Sequence, residues 1–156
     1  SNFTFAQKDY NVYVFIAEEC PISIYMAKPL REAVKQFDGK ANFYAVFPSQ
    51  KSTMATATEF LEQYELPTFQ AILDNAQSLT KKLGAEVTPE VAITDKATEE
   101  ILYCGRISNA YSSPGKMRHG RRINDLINML TRITKGEKIA KPWLPAVGCF
   151  ITFHKS

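Results

Sequence analysis

The stretch that decides the fold is NVYVFIAEECPIS, residues 11–23. Residues 11–17 form a continuous β-branched and aromatic run of strand length, which predicts a buried strand. The run stops at two glutamates, and Cys20 is followed at once by Pro21, a residue favoured at the first position of a helix. The stretch therefore predicts a cysteine at the junction between a strand and a helix.

The chain continues this alternation on its C-terminal side. Apolar residues recur at near-helical spacing over 21–37, which predicts one amphipathic helix. A second apolar run at 42–47 predicts a strand, and the pattern over 53–64 predicts another helix. The order is strand, helix, strand, helix.

The second half of the chain adds antiparallel elements and a closing helix. We predict a strand at 68–73, a short helix ending near Gly84, a hairpin of strands at 90–94 and 100–107, and a helix over 121–134. Residues 137–156 are interpreted as a C-terminal tail that packs on the domain, with its aromatic end a candidate edge strand. Together these patterns predict one α/β domain over 1–156, with a central mixed sheet flanked by helices on both faces.

The bulk composition sets bounds on the partners. The 156 residues are 45% hydrophobic and carry a formal net charge of +3, which is too small to indicate a nucleic-acid partner. No apolar run approaches the roughly 20 residues that cross a bilayer, so we expect no membrane span. Two histidines and no phosphate-binding glycine loop lead us to predict no metal and no cofactor.

A basic cluster interrupts the turn-rich segment 109–120 and extends just beyond it. Its members are Lys116, Arg118, His119, Arg121 and Arg122. Charge runs are usually solvated faces, and we interpret this one in that way, with an anionic partner as the alternative.

Cys20 is the leading candidate for chemistry. A sulfur at a helix start lies beside the unpaired backbone N–H groups of the first turn, which stabilise a thiolate. A lowered thiol pKa makes a cysteine reactive near neutral pH. Ser23, three residues further on, offers a hydroxyl or backbone donor. We therefore predict an exposed, reactive thiol; the alternative is an ordinary buried cysteine at a strand end.

The chain has two more cysteines. Cys104 lies in a predicted strand and is interpreted as a packed, inert thiol. Cys149 follows Gly148 in the tail, and a Cys20–Cys149 disulfide would need Cα atoms within about 7 Å. Sequence leaves that pairing open.

Several segments together resemble a known family. They are the Cys20-Pro21-Ile22-Ser23 motif after the first strand, Thr88-Pro89-Glu90-Val91, and the segments 102–107 and 146–151. They resemble the thioredoxin-like superfamily, specifically bacterial redoxin-domain proteins of the thiol-disulfide oxidoreductase and peroxiredoxin-related branch. The resemblance covers almost the whole chain and implies a thioredoxin-like three-layer sandwich.

The resemblance also implies a site. Cys20 is its nucleophile, Pro21 and Ser23 shape the surroundings of the sulfur, and a cis bond between Thr88 and Pro89 lies beside it. The Thr88 backbone would pair with an extended substrate segment. The implied partners are thiols and disulfides of proteins or small molecules, and the implied location is extracytoplasmic in a bacterium, with a cytoplasmic location left open.

One departure from the family pattern limits the chemistry. The second cysteine of the usual Cys-x-x-Cys motif is Ser23 here, so no dithiol forms within the motif. A mixed disulfide at Cys20 would be released by an external thiol or resolved by Cys149 or Cys104. Two other functions stay open: a non-catalytic binding module, and a peroxidase, although Ala17 stands where the peroxidase pattern has Thr or Ser.

Overall fold

The computed structural model describes residues 8–155. Its elements, in chain order, are β1 (Tyr10–Phe15), α1 (Pro21–Tyr25), α2 (Ala27–Phe37), β2 (Ala41–Phe47), α3 (Met54–Gln63), β3 (Gln70–Leu73), α4 (Ser78–Leu83), β4 (Val87–Thr88), β5 (Glu90–Asp95), β6 (Ile101–Gly105), β7 (Tyr111–Ser113), β8 (Lys116–Met117), α5 (Asp125–Thr134) and β9 (Cys149–Phe150).

A mixed sheet of five strands forms the centre, in the order β3-β2-β1-β5-β6. Strand β1 pairs in parallel with β2 and antiparallel with β5, so it lies in the middle of the sheet. This position explains its continuous apolar sequence, because a central strand is covered on both faces. The predicted α/β sandwich with a mixed sheet and flanking helices is confirmed.

The two faces of the sheet carry separate apolar clusters. On one face, Val12 and Val14 pack with Leu30 of α2 and Leu130 of α5. On the other face, Phe15 belongs to a smaller cluster that includes Val46, Leu83 and Ala92. Adjacent residues of β1 thus serve opposite layers, as strand geometry requires.

The prediction of one continuous helix over 21–37 is wrong. The helix ends at Tyr25, and a second one begins at Ala27. Pro29 lies four residues after Tyr25, so it has no N–H to donate to the Tyr25 carbonyl, and its ring would clash there. Helix α1, which follows Cys20, is therefore a separate short element.

Two other features differ from the sequence prediction. Helix α5 begins at Asp125 instead of at residue 121, because the Asn124 side chain caps it by accepting from the Ile127 N–H at 3.1 Å. The segment predicted as turn-rich contains the small hairpin β7–β8.

The C-terminal tail packs first against β6 and then pairs with β4. Trp143 packs edge-on against Tyr103 with ring centroids 6.1 Å apart. Further along, Cys149 and Phe150 form β9, which pairs antiparallel with β4. The tail thus contributes a short strand beside the Thr88–Pro89 turn.

A buried ion pair fixes the segment after β6. Arg106 Nε donates to Asp125 Oδ2 at 2.8 Å, and Asp125 is only 4% exposed. We expect Arg106→Ala to lower the free energy of unfolding by roughly 3–5 kcal/mol, because it leaves a buried carboxylate without its partner. Urea unfolding measures this change; a loss below about 1 kcal/mol would mean that the carboxylate is solvated.

Candidate active site

Cys20 is the residue immediately before helix α1. Its backbone is extended, with φ −78° and ψ 118°, and Pro21 is the first helical residue, as the sequence predicts. The prediction of an exposed thiol is wrong: Cys20 is 2% exposed. Its side chain faces a cavity of about 540 Å³ that Thr88, Cys149 and Phe150 also line. The tail strand is thus part of the wall around the sulfur.

The Thr88–Pro89 turn lies directly against Cys20. The Cys20 sulfur is 3.4 Å from the Thr88 carbonyl oxygen, although the two residues are 68 positions apart. The peptide bond between Thr88 and Pro89 is cis. This contact favours the protonated thiol, which donates to the carbonyl.

The backbone of Cys149 pairs with the backbone of Thr88. In the β4–β9 ladder Thr88 pairs with Cys149 and Val87 with Phe150. Gly148 packs so tightly here that a Cβ on it would lie 2.2 Å from the Thr88 carbonyl oxygen. Glycine is therefore what lets the tail reach this edge, and Cys149 follows it into contact with the Cys20 thiol.

Opposing effects act on the pKa of Cys20. Burial raises it, but the Cys149 thiol donates a hydrogen bond to the sulfur and lowers it. The backbone N–H groups of Ser23 and Ile22, at the start of α1, lower it further. The net pKa of Cys20 is lowered from the ordinary value for a thiol.

The other two thiols are shifted the opposite way. Burial and the neighbouring Cys20 sulfur raise the pKa of Cys149 to about 11. Burial and the Glu90 carboxylate raise the pKa of Cys104 to about 12. Cys104 packs in the cluster on the opposite face of the sheet from Cys20, so the structure does not bring these two sulfurs together. Cys20 and Cys149 are the pair that meets.

Ser23 acts on the site through its backbone. Its hydroxyl accepts from the Ala17 N–H at 3.4 Å, which ties the loop after β1 to the first turn of α1. The hydroxyl is therefore engaged by the chain, while the Ser23 N–H faces the sulfur.

Sequence reasoning missed Gln77, which anchors the tail. Gln77 is fully buried, and its amide nitrogen donates to the carbonyls of Pro48 at 3.1 Å and Thr152 at 2.8 Å. Its amide oxygen accepts from the His154 N–H at 3.0 Å. A lone glutamine in a polar segment gives no sequence signal of such a role.

Residues 8–155 contain no group of three His, Cys, Asp or Glu side chains arranged to hold a metal ion. No helix within the same residues is long and apolar enough to cross a membrane.

Comparison with known proteins identifies the fold. No protein-family model matches the chain, and no curated protein sequence matches it. Among solved structures, a hypothetical protein from Sinorhizobium meliloti is 19% identical with a TM-score of 0.75, covering 97% of this chain and 84% of its own. An uncharacterized conserved protein from Geobacillus kaustophilus is 19% identical with a TM-score of 0.76, covering 97% and 81%.

A functionally described structure is also similar. It is a secreted Mycobacterium tuberculosis disulfide oxidoreductase homologous to Escherichia coli DsbE, 13% identical with a TM-score of 0.58, covering 81% of this chain and 83% of its own. A thioredoxin-like protein from Aeropyrum pernix is 18% identical with a TM-score of 0.58, covering 83% of this chain and 78% of its own. The chain thus has a thioredoxin-like fold, as its sequence predicts.

Proposed function

We propose that this protein is a thiol-disulfide oxidoreductase in which Cys20 is the nucleophile and Cys149 the resolving thiol. The observation that carries the proposal is the contact of these two sulfurs beside Thr88, with the pKa of Cys20 lowered and that of Cys149 raised. The disulfide oxidoreductase among the proteins of similar fold supports the same class of reaction.

The reaction has two exchange steps. The Cys20 thiolate attacks one sulfur of a client disulfide; the client S–S bond breaks, a Cys20–client disulfide forms, and the first client sulfur leaves as a thiolate that takes up a proton. Cys149 then loses its proton and attacks the Cys20 sulfur, which releases the second client thiol. The client disulfide is reduced to two thiols, and Cys20 and Cys149 are oxidised to a disulfide, which an external dithiol returns to the reduced form.

The unequal pKa values set the order of these steps. The pKa of Cys20 is lowered and that of Cys149 is raised, so Cys20 is the first of the two thiols to ionise and to attack. Once Cys20 is bound to the client it carries no charge, and the part of the Cys149 pKa shift that comes from the Cys20 sulfur is removed. Mixed-disulfide formation thereby activates the resolving thiol.

The tail has to shift before a client reaches Cys20. The sulfur is 2% exposed, whereas Cys149 is exposed, and the tail strand fills the Thr88 edge. A client strand that pairs with the Thr88 backbone would take the place of β9. In this proposal, clients are thiols and disulfides of proteins or small molecules, and the secreted oxidoreductase of similar fold supports a location outside the cytoplasm.

A non-catalytic binding module is the second candidate, and the burial of Cys20 favours it. In that case the tail strand would be a permanent part of the fold. The two candidates differ in whether Cys20 forms a covalent adduct with a client.

Replacement of the resolving thiol tests the proposal. We expect Cys149→Ser to accumulate a Cys20–client disulfide after incubation with an oxidised peptide, because no second sulfur attacks it. Wild type should instead accumulate the intramolecular disulfide and free peptide. Mass spectrometry of acid-quenched samples measures both species.

Cys104→Ser is the matched control, since Cys104 packs on the opposite face of the sheet. It should behave as wild type. Absence of any adduct in Cys149→Ser would support the binding module, and adducts spread over Cys104 as well would contradict the assignment of Cys20.

A further inference from the structure

The segment between β6 and α5 carries an excess of positive charge. From Ile101 to Asn124 the sequence contains no Asp or Glu. Its basic side chains between 116 and 122 are all exposed, and we call them the basic platform: Lys116, Arg118, His119, Arg121 and Arg122. Among residues 8–155, none of these five forms an ion pair with a carboxylate.

Backbone and side-chain hydrogen bonds hold the platform in one shape. The Arg118 N–H donates to the Ala110 carbonyl at 2.7 Å, and the Arg122 guanidinium donates to the Arg118 carbonyl at 2.9 Å. Asn109 spans the loop: its amide donates to the Arg121 carbonyl at 2.9 Å and accepts from the Ile123 N–H at 2.8 Å. The charges are thus ordered before any partner arrives, which reduces the entropy lost on binding.

The platform is attached to the helix that follows Cys20. Arg122 Nε donates to the Tyr25 hydroxyl at 3.3 Å, and Tyr25 is the last residue of α1. Helix α1 has five residues, which corresponds to about 7.5 Å of rise from its start at the sulfur. The Tyr25 ring also packs edge-on against Tyr111, with centroids 5.5 Å apart.

Tyr111 joins the platform hairpin to the thiol site. Burial raises the pKa of Tyr111, Tyr25 raises it further, and the charge of Cys20 adds to the effect, while Arg122 lowers it. One tyrosine therefore lies within electrostatic reach of both the platform and the sulfur.

The cavity at Cys20 carries charge of both signs, from Glu19 and Lys51. Glu19 precedes Cys20 and acts on Cys149, raising the pKa of that thiol. The Glu18 carboxylate accepts hydrogen bonds from the hydroxyls of Ser52 at 2.8 Å and Thr56 at 2.7 Å. A polypeptide that approaches Cys20 along α1 therefore meets the basic platform.

We propose that the client disulfide lies in an extended polypeptide segment that carries carboxylates on one side of its cysteine, and that the basic platform binds those carboxylates. This inference rests on the proposed function and names the class of its substrate. Complementary charge next to a reacting pair raises the rate of encounter more than the affinity. The platform therefore selects clients mainly through the rate of the first exchange step.

Two oxidised peptides that differ only in flanking Glu or Lys residues test this inference. With Cys149→Ser protein, whose adduct is stable, we expect the Glu peptide to form the Cys20 disulfide about tenfold faster than the Lys peptide at low salt. The difference should shrink in about 0.5 M salt, where screening is strong. Adding Arg118→Glu and Arg121→Glu should reverse the preference.

The matched control is Lys135→Glu with Lys138→Glu. Both lysines are exposed and follow α5, about 15 Å of helix away from Asn124. This variant should keep the preference for the Glu peptide. Equal rates for the two peptides would overturn the inference. So would binding of a single-stranded oligonucleotide to the platform, if Arg118→Glu/Arg121→Glu left the peptide rates unchanged. Failure of both peptides to react would instead contradict the proposed function.

Discussion

The Cys20→Ser variant is expected to lose reduction of a small disulfide reporter by roughly 1,000-fold or more at pH 7. The reason is that neither remaining thiol supplies the nucleophile. Burial and the Glu19 carboxylate remain in this variant and keep the pKa of Cys149 above the ordinary thiol value of about 8.5, and Cys104, with a pKa of about 12, is almost entirely protonated at pH 7. The thiolate is the attacking species, so the rate follows its population.

The measurement is the initial rate of reporter reduction with an external dithiol present, corrected for the rate of the dithiol alone. Cys104→Ser is again the matched control and should keep the wild-type rate. If Cys20→Ser retains more than about a tenth of the activity, Cys20 is not the nucleophile. Unchanged activity in Cys20→Ser but loss in Cys149→Ser would assign that role to the tail thiol.

Gly148→Ala is expected to expose Cys20 and raise its rate of alkylation by iodoacetamide about tenfold or more. The new Cβ would lie 2.2 Å from the Thr88 carbonyl oxygen and 2.6 Å from its carbon. These are backbone atoms, which cannot swing aside as a flexible side chain would. We therefore expect strand β9 to leave the Thr88 edge while the five-stranded sheet, formed by other segments, remains.

Gly39→Ala provides the matched control, because a Cβ there meets nothing within 4 Å. It should leave the alkylation rate of Cys20 unchanged. Truncation after Val147 is a second route to the same open state and should match Gly148→Ala, with circular dichroism showing that the fold is retained. An alkylation rate equal to that of wild type in both variants would mean that the tail does not shield the thiol.

The fold could be predicted from the sequence because its signals are local. The apolar run of β1, the start of α1 at Pro21 and the amphipathic pattern of α5 each lie within a single stretch of chain. Even the break at Met26 was available in principle, since Pro29 removes the hydrogen bond to Tyr25. The spacing of apolar residues does not reveal this break, because α1 and α2 both keep the helical spacing of their buried residues.

The state of the site could not be predicted in the same way. Whether Cys20 is exposed depends on the tail, which reaches it through a ladder between Thr88 and Cys149, 61 residues apart. The sequence suggested both thiols as candidates and left their pairing open, since nothing in their spacing fixes the path of the tail. The buried amide of Gln77 depends on the same path and was not anticipated.

The side chain of Phe150 points into water, 84% exposed, although it belongs to the strand that closes the site. The closure therefore gains little from this ring. It depends on the Ile151 N–H bond to the Glu86 carbonyl at 3.0 Å, on the packing of Ile151 against the Phe15 cluster, and on the hydrogen bonds to Gln77. Each such bond contributes only about 1 kcal/mol net. A client strand that offers Thr88 the same backbone bonds, and that also buries an aromatic side chain where Phe150 stays in water, would compete with β9 for this edge.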